Sequence, residues 1–229
     1  MTGLLDDPAR AAAVAVARDR IEPGMTIGLG SGRAVFALID LLATTWPGPR
    51  PLRAVAASSR TEARARAAGI ELVGPDDDRS LDLAVDGADE IDPHLRLLKG
   101  GGGALLREKL VIAAARHVVI VAESPKLVPR LGTTRALPVE VVRFAWPTTR
   151  ARLLDLLPSA TLRRTPDNLP VVTDEHHHLL DCDLPDTDLP TLATALKSTL
   201  GVVEHGLFLT EADEAFVGNL DGTVQTLSR

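Results

Sequence analysis

The chain has 229 residues, which suits one large α/β domain or one such domain carrying a smaller one. Hydrophobic residues at 45% can build a core, and charged residues at 24% are too few to favour wholesale disorder. A formal net charge of −6 with no basic tail argues against nucleic acid as a partner, although a local cluster of donors can still hold one small phosphate.

In chain order, residues 8–21 read as a helix that starts behind an Asp-Asp-Pro segment, with acid at its N-terminal end. MTIGL (25–29) is a short strand that breaks into GLGSG (28–32), and AVFALIDLLATT (34–45) has helical periodicity. LRAVAA (52–57) is a strand, TEARARAAG (61–69) a helix ended by Gly69, and IELVG (70–74) and LDLAVD (81–86) are further strands. LRLLKG (95–100) leads into a glycine run, ALLREKLVIAAAR (104–116) is helical and HVVIVA (117–122) is an almost wholly apolar strand. Strands alternating with helices predict a mainly parallel sheet covered on both faces, with ligands beyond the C-terminal strand ends. The pattern changes near residue 132. LPVEVV (137–142) is strand-like, PTTRARLLDLL (147–157) helical, and VVTDEHHHLLDCD (171–183) reads as a hairpin with a polar tip. LPTLATALKSTLG (189–201) is helical, VVEHGLFL (202–209) is one strand, and AFVGNLDGTVQTL reads as two strands around an Asp-Gly turn. Two helices among short strands suggest a small α+β unit.

Three loops leave strand ends with unusual chemistry. GLGSG lets backbone N–H groups face an anion at a helix N-terminus, with Ser31 and Arg33 beside it. It can equally be a tight strand–helix turn. A dinucleotide loop would need a third glycine where Arg33 stands. DGADEID (86–92) places Asp86, Asp89, Glu90 and Asp92 within seven residues. A solvated acidic turn, a substrate site at the sheet edge and a hard-cation site all fit, but the spacing is not that of a calcium loop. KGGGGALLREK (99–109) has four consecutive glycines, whose ordering is entropically costly unless something must approach the backbone. Lys99 precedes the run and Glu108 lies early in the next helix. A carboxylate there can take a proton from a carbon next to a carbonyl, and an ammonium can stabilise the enediolate oxygen that forms. The chain has 25 Lys plus Arg, of which only Lys99, Lys109, Lys126 and Lys197 are Lys, and three of these fall between 99 and 126. That clustering points to positions where an ammonium is not interchangeable with a guanidinium.

Other features are read structurally. His176, His177 and His178 are assigned to a solvated turn rather than a metal site, and Cys182, the single cysteine, to a small buried residue. Arg10 could reach a phosphate, but nothing local requires it. One cysteine, a start without signal-peptide character and the lack of a long uninterrupted apolar run predict a soluble cytoplasmic protein.

DGADEID and KGGGGALLREK, in that order and spacing, resemble the two signature motifs of ribose-5-phosphate isomerase type A. GLGSG resembles that family's phosphate loop, SSRTEA (58–63) its Ser-rich segment, ESPK (123–126) its later lysine motif and LPVEVV its Pro-Val-Glu strand. The resemblance implies an α/β fold with a Rossmann-like, mainly parallel catalytic domain over 1–131 and 207–229, and a ferredoxin-like α+β lid over 132–206. It implies aldose–ketose isomerisation of a sugar phosphate, ribose 5-phosphate to ribulose 5-phosphate, with no metal or cofactor. Partner expectations are a homodimer or homotetramer, no nucleic acid and no membrane. Glu108 would shuttle the proton and Lys99 would stabilise the enediolate. Asp86 and Asp89 would bind sugar hydroxyls and assist ring opening, beside Gly87 and Ala88. Ser31, Gly32, Arg33 and Ala34, with Lys126, would hold the phosphate, and Gly100, Gly101 and Gly102 would admit the sugar against the backbone. The family commonly carries hydroxyl residues where Arg33 and Ala34 stand, so Arg33 would offer a fork instead. Pro125 fixes the backbone before Lys126.

Two other readings compete. A sugar-phosphate sensor would normally carry a DNA-binding helical module, for which the chain before GLGSG is too short. A coenzyme A transferase would use a glutamate nucleophile, but the chain is short for it and the paired motifs argue against it.

Overall fold

A computed structural model describes residues 3–46, 50–74 and 80–229. In chain order the elements are α1 (Pro8–Arg18), β1 (Thr26–Leu29), α2 (Arg33–Thr45), β2 (Arg53–Ala56), α3 (Ser59–Ala67), β3 (Glu71–Leu72), β4 (Leu83–Gly87), β5 (Glu90–Ile91) and β6 (Leu97–Leu98). Then follow α4 (Leu105–Ala113), β7 (Val118–Glu123), a 3-10 turn (Ser124–Lys126), β8 (Leu137–Val141), α5 (Trp146–Leu153), β9 (Thr161–Leu162) and β10 (His178–Cys182). The chain closes with α6 (Leu189–Ser198), β11 (Val202–His205), β12 (Leu207–Phe208), β13 (Glu214–Gly218) and β14 (Val224–Ser228). Two compact units result: Met1–Ala88 with Arg107–Leu127 and Thr210–Arg229, and Asp89–Leu106 with Val128–Leu209.

The first unit holds a seven-stranded sheet of order β14-β13-β7-β4-β1-β2-β3. Its pairs are parallel except β13–β14, the hairpin expected around Asp221-Gly222. Gly222 turns there with φ +83°. Asp7 caps α1 by accepting from the Arg10 N–H, and Ser58 caps α3 by accepting from the Thr61 N–H. Alternate residues of the strands enter two cores. Ile27, Leu29, Val85 and Val119 pack with Val35, Leu38, Ile39 and Leu42 of α2. Val55, Ala57 and Leu81 pack with Val111 of α4. Burial on both faces explains why these strands lack polar alternation. Strand order reverses between β1 and β4, so the loops after those two strands flank a topological switch point, where open α/β sheets bind ligands.

The second unit runs β8-α5-β9-β10-α6-β11, with an antiparallel sheet of order β11-β8-β10-β9. This is the ferredoxin-like arrangement. Leu137, Val139 and Val141 alternate into a core with Leu180, Cys182, Leu153 and Leu196. A small antiparallel sheet, β12-β6-β5, belongs to the same unit.

Two local expectations fail. Residues 171–183 do not form a hairpin: β10 takes its partners from β8 and β9, while 173–177 close a turn through Thr173 N–H to His177 O at 3.0 Å. Residues 202–209 are not one strand but two, in different sheets. The break is Gly206, whose N–H donates to Pro138 O and whose O accepts from the Lys99 N–H. A Cβ on Gly206 would lie 2.2 Å from Lys99 O, so no other residue fits that crossing.

Candidate active site

In the first unit the loop after β1 is built around Asp86, at the end of β4. Asp86 is buried, and its Oδ1 accepts from the N–H groups of Ser31 at 3.2 Å and Gly87 at 2.7 Å. Gly30 is required because a Cβ there would sit 2.0 Å from the Asp86 carboxyl carbon. Gly30→Ala is therefore expected to cost roughly 1–3 kcal/mol through overpacking and to displace Asp86. Thermal unfolding beside an activity assay checks this, and an unchanged melting temperature would refute it.

A chain of hydroxyls lies under this loop. Thr61 Oγ1 donates to Gly30 O at 2.8 Å, Ser58 Oγ lies 2.8 Å from Thr61 Oγ1, and Ser31 Oγ lies 3.0 Å from Ser58 Oγ. With the Thr61 proton committed to a carbonyl, Ser58 must donate to Thr61, and Ser31 to Ser58. The Ser31 hydroxyl proton thus points inward, along with its N–H to Asp86.

Donors for an anion then come from the start of α2. Gly32 is its N-cap at φ +106°, and no side chain caps the first turn. Arg33 is exposed at this end and Ala34 is half-buried. Lys126 ends the 3-10 turn after β7, with Pro125 inside that turn, where a missing N–H costs nothing. Glu123, just before it, is held by the buried Arg10 through Nε at 2.6 Å. Arg10 also donates to Leu4 O and Asp7, so in this structure it braces the turn rather than pointing outward. Glu108 lies in the first turn of α4 and is 4% exposed, one turn before the buried Val111 and Ile112. It is a buried carboxylate flanked in sequence by the charged Arg107 and Lys109, and a buried carboxylate is costly to desolvate without polar partners.

In the second unit the glycine run is shaped residue by residue. Gly100 (φ +104°) and Gly103 (φ +82°) need left-handed backbone, and the Gly103 N–H closes the turn onto Gly100 O at 3.1 Å. A Cβ on Gly101 would lie 2.8 Å from Asp89, whereas Gly102 has open space. Asp89 Oδ2 accepts from the Gly101 N–H at 2.7 Å. Lys99 is 3% exposed, with Nζ 5.4 Å from the Phe208 ring centroid, a cation–π contact.

The acidic cluster is divided rather than shared. Glu90, fully buried, accepts from the N–H groups of Gly132, Thr134 and Arg135 and from Thr134 Oγ1 at 2.5–2.8 Å. Asp92 accepts from the His94 and Arg96 N–H groups and from Arg96 Nε at 2.6 Å. Separate donor sets explain how so many carboxylates coexist, and assign Glu90 and Asp92 to the loops around them. Among the described residues, no group of three or more His, Cys, Asp or Glu is placed to hold a metal ion.

The structure revises the histidine run. Only His176 is an exposed turn residue, with φ +62°. His177 Nδ1 lies 3.0 Å from Oε1 of the buried Glu140, which also accepts from Thr173 Oγ1, and burial raises the Glu140 carboxyl despite these bonds. His178 is buried and its Nδ1 donates to Val171 O. Cys182 is buried as expected, and burial pushes its thiol up to about 12. Sequence reading missed Arg163, which donates to Gly100 O at 2.8 Å and pairs with Asp181. It also gave no role to Ser58 and Thr61, although Ser58 three residues before Thr61 is a legible helix cap.

The family described as ribose 5-phosphate isomerase A (phosphoriboisomerase A) matches residues 53–222. A ribose-5-phosphate isomerase A of Synechococcus sp. (strain JA-3-3Ab) is 46% identical over 224 residues, covering 96% of this chain and 97% of that one. The structure of ribose 5-phosphate isomerase A from Methanocaldococcus jannaschii superposes with a TM-score of 0.89 at 31% identity, over 98% of this chain and 100% of the other. A D-ribose-5-phosphate isomerase in complex with phospho-erythronic acid superposes with a TM-score of 0.90 at 32% identity, over 96% of this chain and 97% of the other. Among the described residues, no helix is long and apolar enough to cross a membrane.

Proposed function

This chain belongs to the ribose 5-phosphate isomerase A family, and we propose that its reaction, the interconversion of D-ribose 5-phosphate and D-ribulose 5-phosphate, runs through an enediolate with Glu108 as proton shuttle. Glu108 takes the proton from C2 of the open-chain aldose, and the electron pair moves toward the C1 oxygen. The same carboxyl returns the proton to C1, while the C2 hydroxyl proton passes to the C1 oxygen, which leaves a ketone at C2 and a primary alcohol at C1. C1 is reduced and C2 oxidised within one molecule, so no external electron acceptor enters the balance. Lys99 stabilises the enediolate oxygens. Asp86 and Asp89 hold the sugar hydroxyls and assist ring opening, with Gly87, Ala88 and Gly100–Gly102 allowing close approach. Gly32, Arg33 and Ala34 at the start of α2 hold the phosphate with Lys126, Ser31 shapes the loop beneath them through Asp86 and Ser58, and this remote binding positions the reacting carbons.

The observation that carries the reading is the buried Glu108, in a chain that keeps the family's motifs in order. The relative bound to phospho-erythronic acid supports it. That ligand is a phosphorylated sugar acid, whose carboxylate is negatively charged as an enediolate is. A homodimer or homotetramer in the cytoplasm completes the reading, and sedimentation analysis tests the assembly.

The deciding experiment incubates purified, EDTA-treated protein with ribose 5-phosphate and follows ketose formation. Rapid conversion is expected; binding without conversion would overturn the reaction and favour a sensor. Arg33→Ala is expected to raise KM roughly two- to fivefold, a modest effect because its guanidinium is exposed, with kcat unchanged. An unaltered KM would remove Arg33 from the phosphate site.

A further inference from the structure

The glycine loop is held by a residue outside the motifs quoted above. The carbonyl of Gly100 and the N–H of Gly101 belong to one trans peptide group and point in opposite directions. The N–H is taken by Asp89 at 2.7 Å and the carbonyl by Arg163 Nη1 at 2.8 Å. Arg163 Nη1 also lies 3.3 Å from Gly101 O. A peptide between two glycines otherwise rotates with little steric resistance. The guanidinium is itself fixed: its Nε and Nη2 edge faces Asp181, with Nε 2.9 Å from Oδ2, which leaves Nη1 aimed at the loop. The side chains of Arg163 and Asp181 are 17% and 32% exposed, so the pair is largely shielded.

We propose that Arg163, oriented by Asp181, is a positioning residue for the isomerisation: it locks the Gly100–Gly101 peptide and thereby fixes the direction of the Asp89 carboxylate that the peptide's N–H engages. The inference rests on the reading that Asp89 and the glycine loop serve the sugar. A linear relay follows, Asp181 to Arg163 to peptide to Asp89, in which no step requires Arg163 to touch substrate. Lysine cannot reproduce it, because an ammonium has no second edge with which to be oriented.

The test compares wild type, Arg163→Ala, Arg163→Lys, Asp181→Asn, Asp89→Asn and the Asp89→Asn/Arg163→Ala double variant, each with thermal unfolding. Arg163→Ala is expected to lose roughly ten- to a hundredfold in kcat, with KM little changed and partial recovery on adding millimolar guanidinium ion. Arg163→Lys should lose kcat similarly, and the double variant should be no worse than Asp89→Asn alone. If Arg163→Ala does not fold, Asp181→Asn carries the test through the same fall in kcat at unchanged KM. Wild-type kcat in Arg163→Ala or in Asp181→Asn, or fully multiplicative losses in the double variant, would overturn the relay. If wild type itself forms no ketose, the functional reading falls first, and the two failures are thereby told apart.

Discussion

Glu108→Gln is expected to lower kcat by roughly a hundred- to ten-thousandfold while leaving ribose 5-phosphate binding largely intact. Glutamine matches the carboxylate in shape but cannot accept a carbon-bound proton. The position is 4% exposed, so bulk water cannot readily take over as base. Two measurements check this: ketose formation, and incorporation of solvent deuterium at the transferred position by NMR. Loss of both with substrate still bound identifies the base. Turnover near the wild-type rate would move the base elsewhere while leaving the reaction in place.

Lys99→Met is expected to lose roughly a hundred- to a thousandfold in kcat, the scale of removing one preorganised charge from a developing oxyanion. Methionine keeps most of the apolar stem beside Phe208, and the backbone N–H bond to Gly206 O remains, so the small sheet should survive. Lys99→Arg should not rescue activity. A forked guanidinium is larger and differently hydrated, and Lys99 is 3% exposed with Gly206 packed against its carbonyl. The discriminating readout is phospho-erythronic acid affinity. If Lys99 stabilises the enediolate, analogue binding should weaken far more than substrate binding, in step with the loss of kcat/KM. Equal weakening of both would make Lys99 a general binding residue.

Apolar periodicity and turn residues made the alternation of strands and helices legible, because parallel strands buried on both faces read as continuous apolar runs. The glycine run and Glu108 were also legible, since four ordered glycines are improbable without a use and a carboxylate follows them early in the next helix, in a motif that resembles a known family's. Periodicity is a local property, and it failed where a distant partner decided. Residues 202–209 look like one strand, yet Gly206 splits them, because Pro138 and Lys99 claim its N–H and its carbonyl. The histidine run looks like a solvated tip, yet Glu140, 37 positions before His177, draws that ring inward. Arg163 is one arginine among many until the fold brings it to Gly101, 62 positions earlier. The sequence by itself determined the element types, the sheet class and the motif residues, since these depend on neighbours along the chain. Only the tertiary structure decided which carboxylate holds which loop, because a hydrogen bond is specified by where two groups meet in space and not by their spacing in the chain.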